Sequence, residues 1–217
     1  SHAVAMIRVA TYQVLREADP GRAATYSGLI DRSIDEIFSL FLKPDRRALL
    51  ETVGPAGEML DGPVGRCVNP GHAIETCWFL MTEARLRRDR GLLERALPIL
   101  DWSLALGWDQ VHGGLFSFVD VEGRQPEQVE WDMKYWWPHT EAIYATLLAY
   151  ALTGEARYET WFERVLDWSL AHFPDREHGE WFGYLHRDGS VALDLKGNNW
   201  KGPFHLPRMQ LVCWQRL

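Results

Sequence analysis

Asn69-Pro70-Gly71-His72-Ala73-Ile74-Glu75, Trp136-Trp137-Pro138-His139-Thr140-Glu141 and Gly202-Pro203-Phe204-His205-Leu206-Pro207-Arg208 are three versions of one phrase. From His72 to His139 is 67 residues, and from His139 to His205 is 66. In each, a proline stands one or two residues before the histidine, and an apolar or amphipathic run at helical spacing follows. A proline costs nothing in the first turn of a helix, where its missing N–H has no partner to lose. Each histidine is therefore expected in the first turn of a helix, at the same station of a repeated unit.

Other segments repeat in step. Leu100-Asp101-Trp102-Ser103-Leu104-Ala105 returns 66 residues later as Leu166-Asp167-Trp168-Ser169-Leu170-Ala171. Asp109…His112-Gly113-Gly114-Leu115-Phe116 returns at the same offset as Asp175…His178-Gly179-Glu180-Trp181-Phe182. A weaker copy, Ile34-Asp35-Glu36-Ile37 and Pro44-Asp45, lies about one period upstream. Self-similarity at a fixed period marks stacked supersecondary units. The helical runs alternate in character. Those at 3–15, 70–87, 138–152 and from 203 onward are apolar around much of their circumference, and those at 23–42, 91–106 and 156–173 are one-sided. An all-round apolar helix is buried and a one-sided helix covers it. The expected fold is all-α: a toroid of helical hairpins, here an incomplete arc of about seven helices forming a single domain over 1–217. The loops at 107–137 and 174–202 carry strand-like stretches (115–119, 181–185, 191–193) and are expected to hold short β-hairpins. Such an arc cannot close on itself, so the chain is expected to be the C-terminal part of a longer one.

Bulk properties narrow the function. A net charge of −7 without a basic block argues against nucleic acid as a partner. No apolar run approaches the roughly 20 residues that a membrane span requires. Cys67, Cys77 and Cys213 form no C-x-x-C pair, which points to reduced thiols in a cytoplasmic protein, not to disulfides or a zinc site. No phosphate-binding loop or nucleophile elbow is present. Of the 11 tryptophans, Trp131, Trp136, Trp137, Trp181 and Trp200 fall in the long loops, and the rim residues among them suit the apolar faces of sugar rings.

Three imidazoles at equivalent stations are expected to converge on one cavity. The positive end of a helix dipole disfavours imidazolium, so their base-competent form is expected near neutral pH. Glu75 follows His72 by three residues and faces the same way, able to orient the ring or accept a substrate hydroxyl. Arg208 follows His205 by three, where the helix dipole does not favour a cation, so an oxyanion or hydroxyl is its expected partner. Arg66 is a candidate anion ligand. Glu141 reads either as a first-turn acid or as a site residue, and His139 and Trp136 as sugar contacts. A metal held by the three histidines lacks the close H-x-x-x-H pair that would support it.

These segments resemble the N-acylglucosamine 2-epimerase family. The resemblance is carried by Gly65-Arg66…Asn69-Pro70-Gly71-His72…Glu75…Trp78-Phe79-Leu80, by Gly107-Trp108-Asp109…His112-Gly113-Gly114-Leu115-Phe116 and by Glu130-Trp131-Asp132-Met133-Lys134-Tyr135-Trp136-Trp137-Pro138-His139-Thr140-Glu141. Gly179-Glu180-Trp181-Phe182-Gly183-Tyr184-Leu185 and Lys201-Gly202-Pro203-Phe204-His205-Leu206-Pro207-Arg208 complete it. It implies an (α/α)6 barrel of which the chain supplies roughly the C-terminal seven of twelve helices. It also implies a catalytic pair at His72 and His205, with Arg66, Glu75, Glu141 and Arg208 near the sugar. The implied reaction interconverts N-acetylglucosamine and N-acetylmannosamine, with aldose–ketose isomerisation or non-catalytic sugar or protein binding as alternatives. No cofactor is required for it; ATP as an activator and a homodimer are further expectations. The cellobiose branch of the family is expected to carry Gln where His139 stands, which directs the reading toward monosaccharides.

Overall fold

The structure, a computed structural model, describes residues 1–215. Eight helices follow one another among these residues: α1 (His2–Ala18), α2 (Ala23–Glu36), the single turn α3 (Pro63–Arg66), α4 (Pro70–Arg87), α5 (Arg90–Gly107), α6 (Trp136–Thr153), α7 (Ala156–His172) and α8 (His205–Trp214). None is long and apolar enough to cross a membrane.

The long helices pair as hairpins, α1 with α2, α4 with α5 and α6 with α7, and α1, α4, α6 and α8 pack side by side as an inner row. The reason is compositional. Helices α4 and α6 bury residues on every side, from Ile74, Cys77 and Leu80 to Ile143, Ala145 and Leu148. By contrast α7 buries only Tyr158, Val165 and Ser169 along one stripe. Local signals set the ends. Asn69 caps α4 by accepting from the His72 N–H at 3.1 Å, and Asp89 caps α5 by accepting from Leu92 N–H at 3.0 Å. Gly154, at φ +70, ends α6 in the left-handed conformation.

The repeat is written into the backbone. Leu50 N–H donates to Phe41 C=O, Phe116 to Gly107 and Phe182 to Phe173, at 3.0, 2.8 and 2.8 Å. Each bond closes the loop behind an outer helix, so the weak upstream copy is a true copy. Asp109 and Asp175 do the same work one period apart: their carboxylates accept backbone N–H groups two and three residues on. Buried Lys134 holds Asp109, and Lys196 holds Asp175, at 3.1 and 2.7 Å.

Short strands tie these loops to the inner row. β1 (Leu42–Lys43) pairs with β2 (Ala48–Leu49), and β3 (Cys67–Val68) pairs with β4 (Val119–Asp120). β5 (Lys134–Tyr135), β6 (Tyr184–Leu185) and β7 (Val191–Leu193) form a three-stranded antiparallel sheet. Residues 187–190 turn the chain from β6 into β7, with His186 N–H donating to Ser190 C=O at 2.8 Å. The strand-like stretch 115–119 instead contributes only an isolated bridge at Leu115 and the start of β4. Helix α6 begins at Trp136, two residues before the expected Pro138, because Trp136 N–H finds an acceptor in Gly183 C=O at 3.1 Å. The arc is open. Val4, Ile7 and Val14 on α1 and Leu211 and Trp214 on α8 remain exposed at its two ends.

The Gly113-Gly114 turn shows how tightly the loops are pressed on the outer helices. Gly114 has φ +71, and a Cβ there would lie 2.8 Å from the Trp168 ring and 3.0 Å from His139 Nε2. Gly123 has φ +72 but open space around it. Gly114→Ala is expected to lose about 3 kcal/mol in urea denaturation, and Gly123→Ala only the backbone share of about 1 kcal/mol. Equal losses would show that packing on Trp168 contributes nothing.

Candidate active site

One cavity, of about 740 Å³, opens between the first turns of the inner helices. Met6 and Ala10 of α1 form one wall; His72, Glu75 and Phe79 of α4, Trp136 and Trp137 of α6, and His205 and Arg208 of α8 form the rest. Ser117, Tyr184 and Trp200 stand at its rim.

His72 and His205 are built alike. His72 donates Nδ1–H to Glu51 Oε2 at 3.0 Å, and His205 donates Nδ1–H to Glu141 Oε1 at 2.7 Å. A carboxylate on Nδ1 fixes the proton there and leaves the Nε2 lone pair available. Trp137 bridges the two rings, its centroid 5.1 Å from that of His72 and 5.6 Å from that of His205. Its indole packs directly over Gly71, where a Cβ would come within 2.5 Å of the ring. Gly71 is thus part of the site.

The charges are strongly perturbed. Burial opposes protonation of His72, but the hydrogen bond and charge of Glu51 outweigh it and raise the imidazole above its ordinary value. Burial likewise opposes ionisation of Glu51, yet the neighbouring imidazoles His2 and His72 hold its carboxyl far below the usual range. Glu141, buried, is held low by His205 and Arg208. Glu75 is pushed up by burial and by the Glu141 carboxylate.

Arg208 organises these acids. Its Nη2 donates to Glu75 Oε1 at 2.8 Å and to Glu141 Oε1 at 2.6 Å, and its guanidinium lies over Phe204 and Trp78, 4.1 and 5.0 Å from the ring centroids. Trp78 Nε1–H completes the set by donating to Glu141 Oε2 at 2.7 Å. Glu75, Glu141 and His205 offer ligand atoms within 4.8 Å of one another, a spacing that fits a metal ion. The cation between the two carboxylates is already supplied by Arg208, so a metal would have to displace it.

Two expectations are corrected by the geometry. His139 does not reach the cavity. Its Nε2 accepts from Leu115 N–H at 2.9 Å, its Nδ1–H donates to Tyr135 C=O at 2.6 Å, and its ring stacks on Trp168 at 4.8 Å. It is a fully buried structural histidine. His139 lies 67 residues after His72, one more than the 66-residue repeat, so it occupies the station of Ala73 on α4. One residue is about 100° around a helix, enough to turn the ring from the cavity to the face that packs on α7. It therefore cannot select the sugar by contact. Arg66 also lies outside the cavity lining, with its Nε donating to Asp120 Oδ2 at 2.9 Å.

Two finer readings change as well, and a third is narrowed. Glu75 is paired with Arg208 instead of orienting His72. Of the two readings of Glu141 the geometry favours the site residue: it lies beyond the first turn of α6 and accepts from His205 Nδ1–H. The dipole argument for a neutral His72 is overruled by a nearby carboxylate. Trp136 does line the cavity, with Trp137, from within a helix.

Glu51 carries no local signature of a site residue. It lies 21 residues before His72 in a polar segment without helical pattern. The available signal is the repeat: Glu51, Ser117 and Gly183 each follow the residue that makes the recurring loop bond. Ser117 lines the cavity and Gly183 C=O anchors α6.

A helical arc whose inner first turns enclose such a pocket defines an α/α-barrel class, and solved structures share the shape. A cellobiose 2-epimerase from Bacillus thermoamylovorans B4167 matches 100% of this chain with 52% of its own, at TM-score 0.79 and 20% identity. A sugar epimerase from a ruminal bacterium matches 89% with 48% of its own, at 0.72 and 17%. The sequence profile of the N-acylglucosamine 2-epimerase (GlcNAc 2-epimerase) family matches residues 38–205. The N-acylglucosamine 2-epimerase of Bos taurus is 42% identical over 221 residues, covering 100% of this chain and 51% of the relative. That of Homo sapiens is 40% identical over 219 residues, covering 99% and 50%. The chain belongs to the N-acylglucosamine 2-epimerase family, and it spans about half the length of these curated relatives.

The structural role of His139 has a measurable sign. Burial pushes its imidazole down to about 3, while the unfolded chain keeps the ordinary 6.5. Below 6.5 the unfolded state binds the proton first, so stability falls as pH drops from 6.5 toward 3, by up to about 1.4 kcal/mol per pH unit. His139→Gln is expected to flatten that slope and to cost about 2 kcal/mol at pH 7 by disturbing two buried hydrogen bonds. Urea denaturation between pH 4 and 8 checks both. An unchanged slope would contradict the assignment.

Proposed function

We propose that the full-length protein interconverts N-acetylglucosamine and N-acetylmannosamine by inverting C2 of the open-chain sugar. The observation that carries this reading is the pair of carboxylate-backed imidazoles, His72 and His205, on two different inner helices of one cavity. Family membership supports the sugar class, and the N-acylglucosamine relatives match across essentially the whole chain.

The C2 proton is acidic because it neighbours the C1 aldehyde. One imidazole removes that proton through Nε2, and the C2–H electron pair moves into C1–C2 while negative charge gathers on O1. The other imidazole, on the opposite face, delivers its proton to C2, and the C=O bond re-forms. Imidazole suits both steps because it exchanges protons near neutral pH. Arg208 supplies positive charge beside the developing oxyanion, held in place beforehand by Glu75 and Glu141. Trp137, between the two rings, offers an apolar surface to a sugar face. Proton transfer alone balances the reaction. Activation by ATP and assembly as a homodimer belong to the same proposal.

A second reading has support in a D-mannose isomerase of Marinomonas mediterranea, 25% identical over 137 residues, 63% of this chain. An aldose–ketose isomerase would use the same two imidazoles but return the proton to C1.

Incubation of the full-length protein with N-acetylmannosamine in heavy water, with and without ATP, is expected to place deuterium at C2 of both epimers, read by proton NMR. A ketose product would select the isomerase, and no exchange in either condition would leave only a binding role. His72→Asn and His205→Asn are each expected to slow exchange at least about 100-fold with the fold intact. Wild-type rates in either variant would remove that residue from the mechanism.

A further inference from the structure

The two imidazoles have the same design but different surroundings. Around His72 stand Glu51 at 3.0 Å and Glu75 on the same helix, with no lysine or arginine in contact among the described residues. Behind Glu51 lies a second histidine. His2 of α1 is fully buried, with one ring nitrogen 2.8 Å from Thr76 Oγ1 on α4 and Nδ1 3.7 Å from Glu51 Oε2. Burial pushes His2 down, so it braces Glu51 without adding a charge that would compete with His72. The backbone holds the same carboxylate: His2 N–H donates to Glu51 C=O, and Glu51 N–H to Cys67 C=O, both at 2.9 Å.

Around His205 the carboxylates are shared with a cation. Glu141, which accepts from His205, also accepts from the Arg208 guanidinium at 2.6 Å; Glu75, with an oxygen within 4.8 Å of a His205 ring nitrogen, accepts from the same guanidinium at 2.8 Å, and Arg208 Nη2 itself lies 3.5 Å from His205 Nδ1. The aromatic rings packed on His205 are Trp136, Trp137 and Phe204.

We propose that Glu51, braced by His2, is a positioning residue that fixes the Nδ1–H tautomer of His72 and makes it the proton-bearing imidazole of the resting site. This rests on the epimerase reading for its meaning, since inversion needs one imidazole charged and one neutral at the start of each turnover. The protonation of His72, however, is a property of the protein alone. The raised proton affinity of His72 agrees with it.

The test is a pH titration of the full-length protein labelled with nitrogen-15 at histidine, with signals assigned through His72→Asn and His205→Asn. His72 is expected to carry hydrogen on Nδ1 when neutral and to gain its second proton at a pH above the ordinary imidazole value. In Glu51→Gln, His72 is expected to bind the proton at least tenfold more weakly and to lose its preference for hydrogen on Nδ1. Glu51→Asp is expected to restore part of the shift. The buried His139 signal, unchanged, shows that the fold is retained. The alkaline limb of the C2 exchange rate is expected to move to lower pH in Glu51→Gln. A His72 that stays neutral until the pH falls below the ordinary imidazole value, or a His72 affinity within twofold of wild type in Glu51→Gln, would overturn the proposal. Absence of C2 exchange in wild type would count against the epimerase reading while leaving the role of Glu51 standing.

Discussion

Two carboxylates at the heart of the arc share one guanidinium. Glu75 on α4 and Glu141 on α6 are both buried, and burying a carboxylate without a partner costs several kcal/mol. Arg208 on α8 meets both from a single nitrogen, and the sharing joins three consecutive inner helices near their N-terminal ends. Everything chemical follows from that tie. Glu141, anchored by Arg208 and Trp78, can present its oxygen to His205, and Arg208 can face the cavity only because its charge is balanced from behind. Removing any one member would leave a charge stranded in a low-dielectric wall, so the group acts as a unit.

The repeat supplies the frame in which this unit is assembled, but not the unit itself. Three loop closures recur at one spacing with the same donor and acceptor stations, and two aspartates organise two turns in the same way. The inner first turns, by contrast, have diverged. α4 brings an imidazole and a carboxylate to the cavity, α6 brings two tryptophans with a carboxylate behind them, and α8 brings an imidazole and a cation. Repetition gives a row of helix starts at one rim; divergence at those starts makes a site with two unlike faces.

His139 marks the boundary between these two levels. By residue type, spacing and its neighbouring proline it belongs with His72 and His205, yet its ring is stacked against Trp168 in the core. The helix that carries it begins two residues earlier than the proline implies, because a carbonyl from a distant loop, Gly183, captures the Trp136 N–H. Local sequence cannot register an acceptor that arrives from 47 residues away. Glu51 illustrates the converse. Nothing in its own neighbourhood announces chemistry, and it becomes important only because the strand pairing of its segment sets it beside α4.

The sequence by itself determined the class of fold, the alternation of inner and outer helices, the repeat and the participation of His72, Glu75, Trp136, His205 and Arg208 in one pocket. Those properties follow from periodicity and from short-range preferences of proline, asparagine and glycine, which each residue carries wherever it stands. Tertiary structure alone decided which carboxylate serves which imidazole, that Arg66 pairs with Asp120, and that His139 is structural. Those outcomes depend on rotation about a helix axis and on partners brought from far along the chain, and a shift of one residue is enough to reverse them.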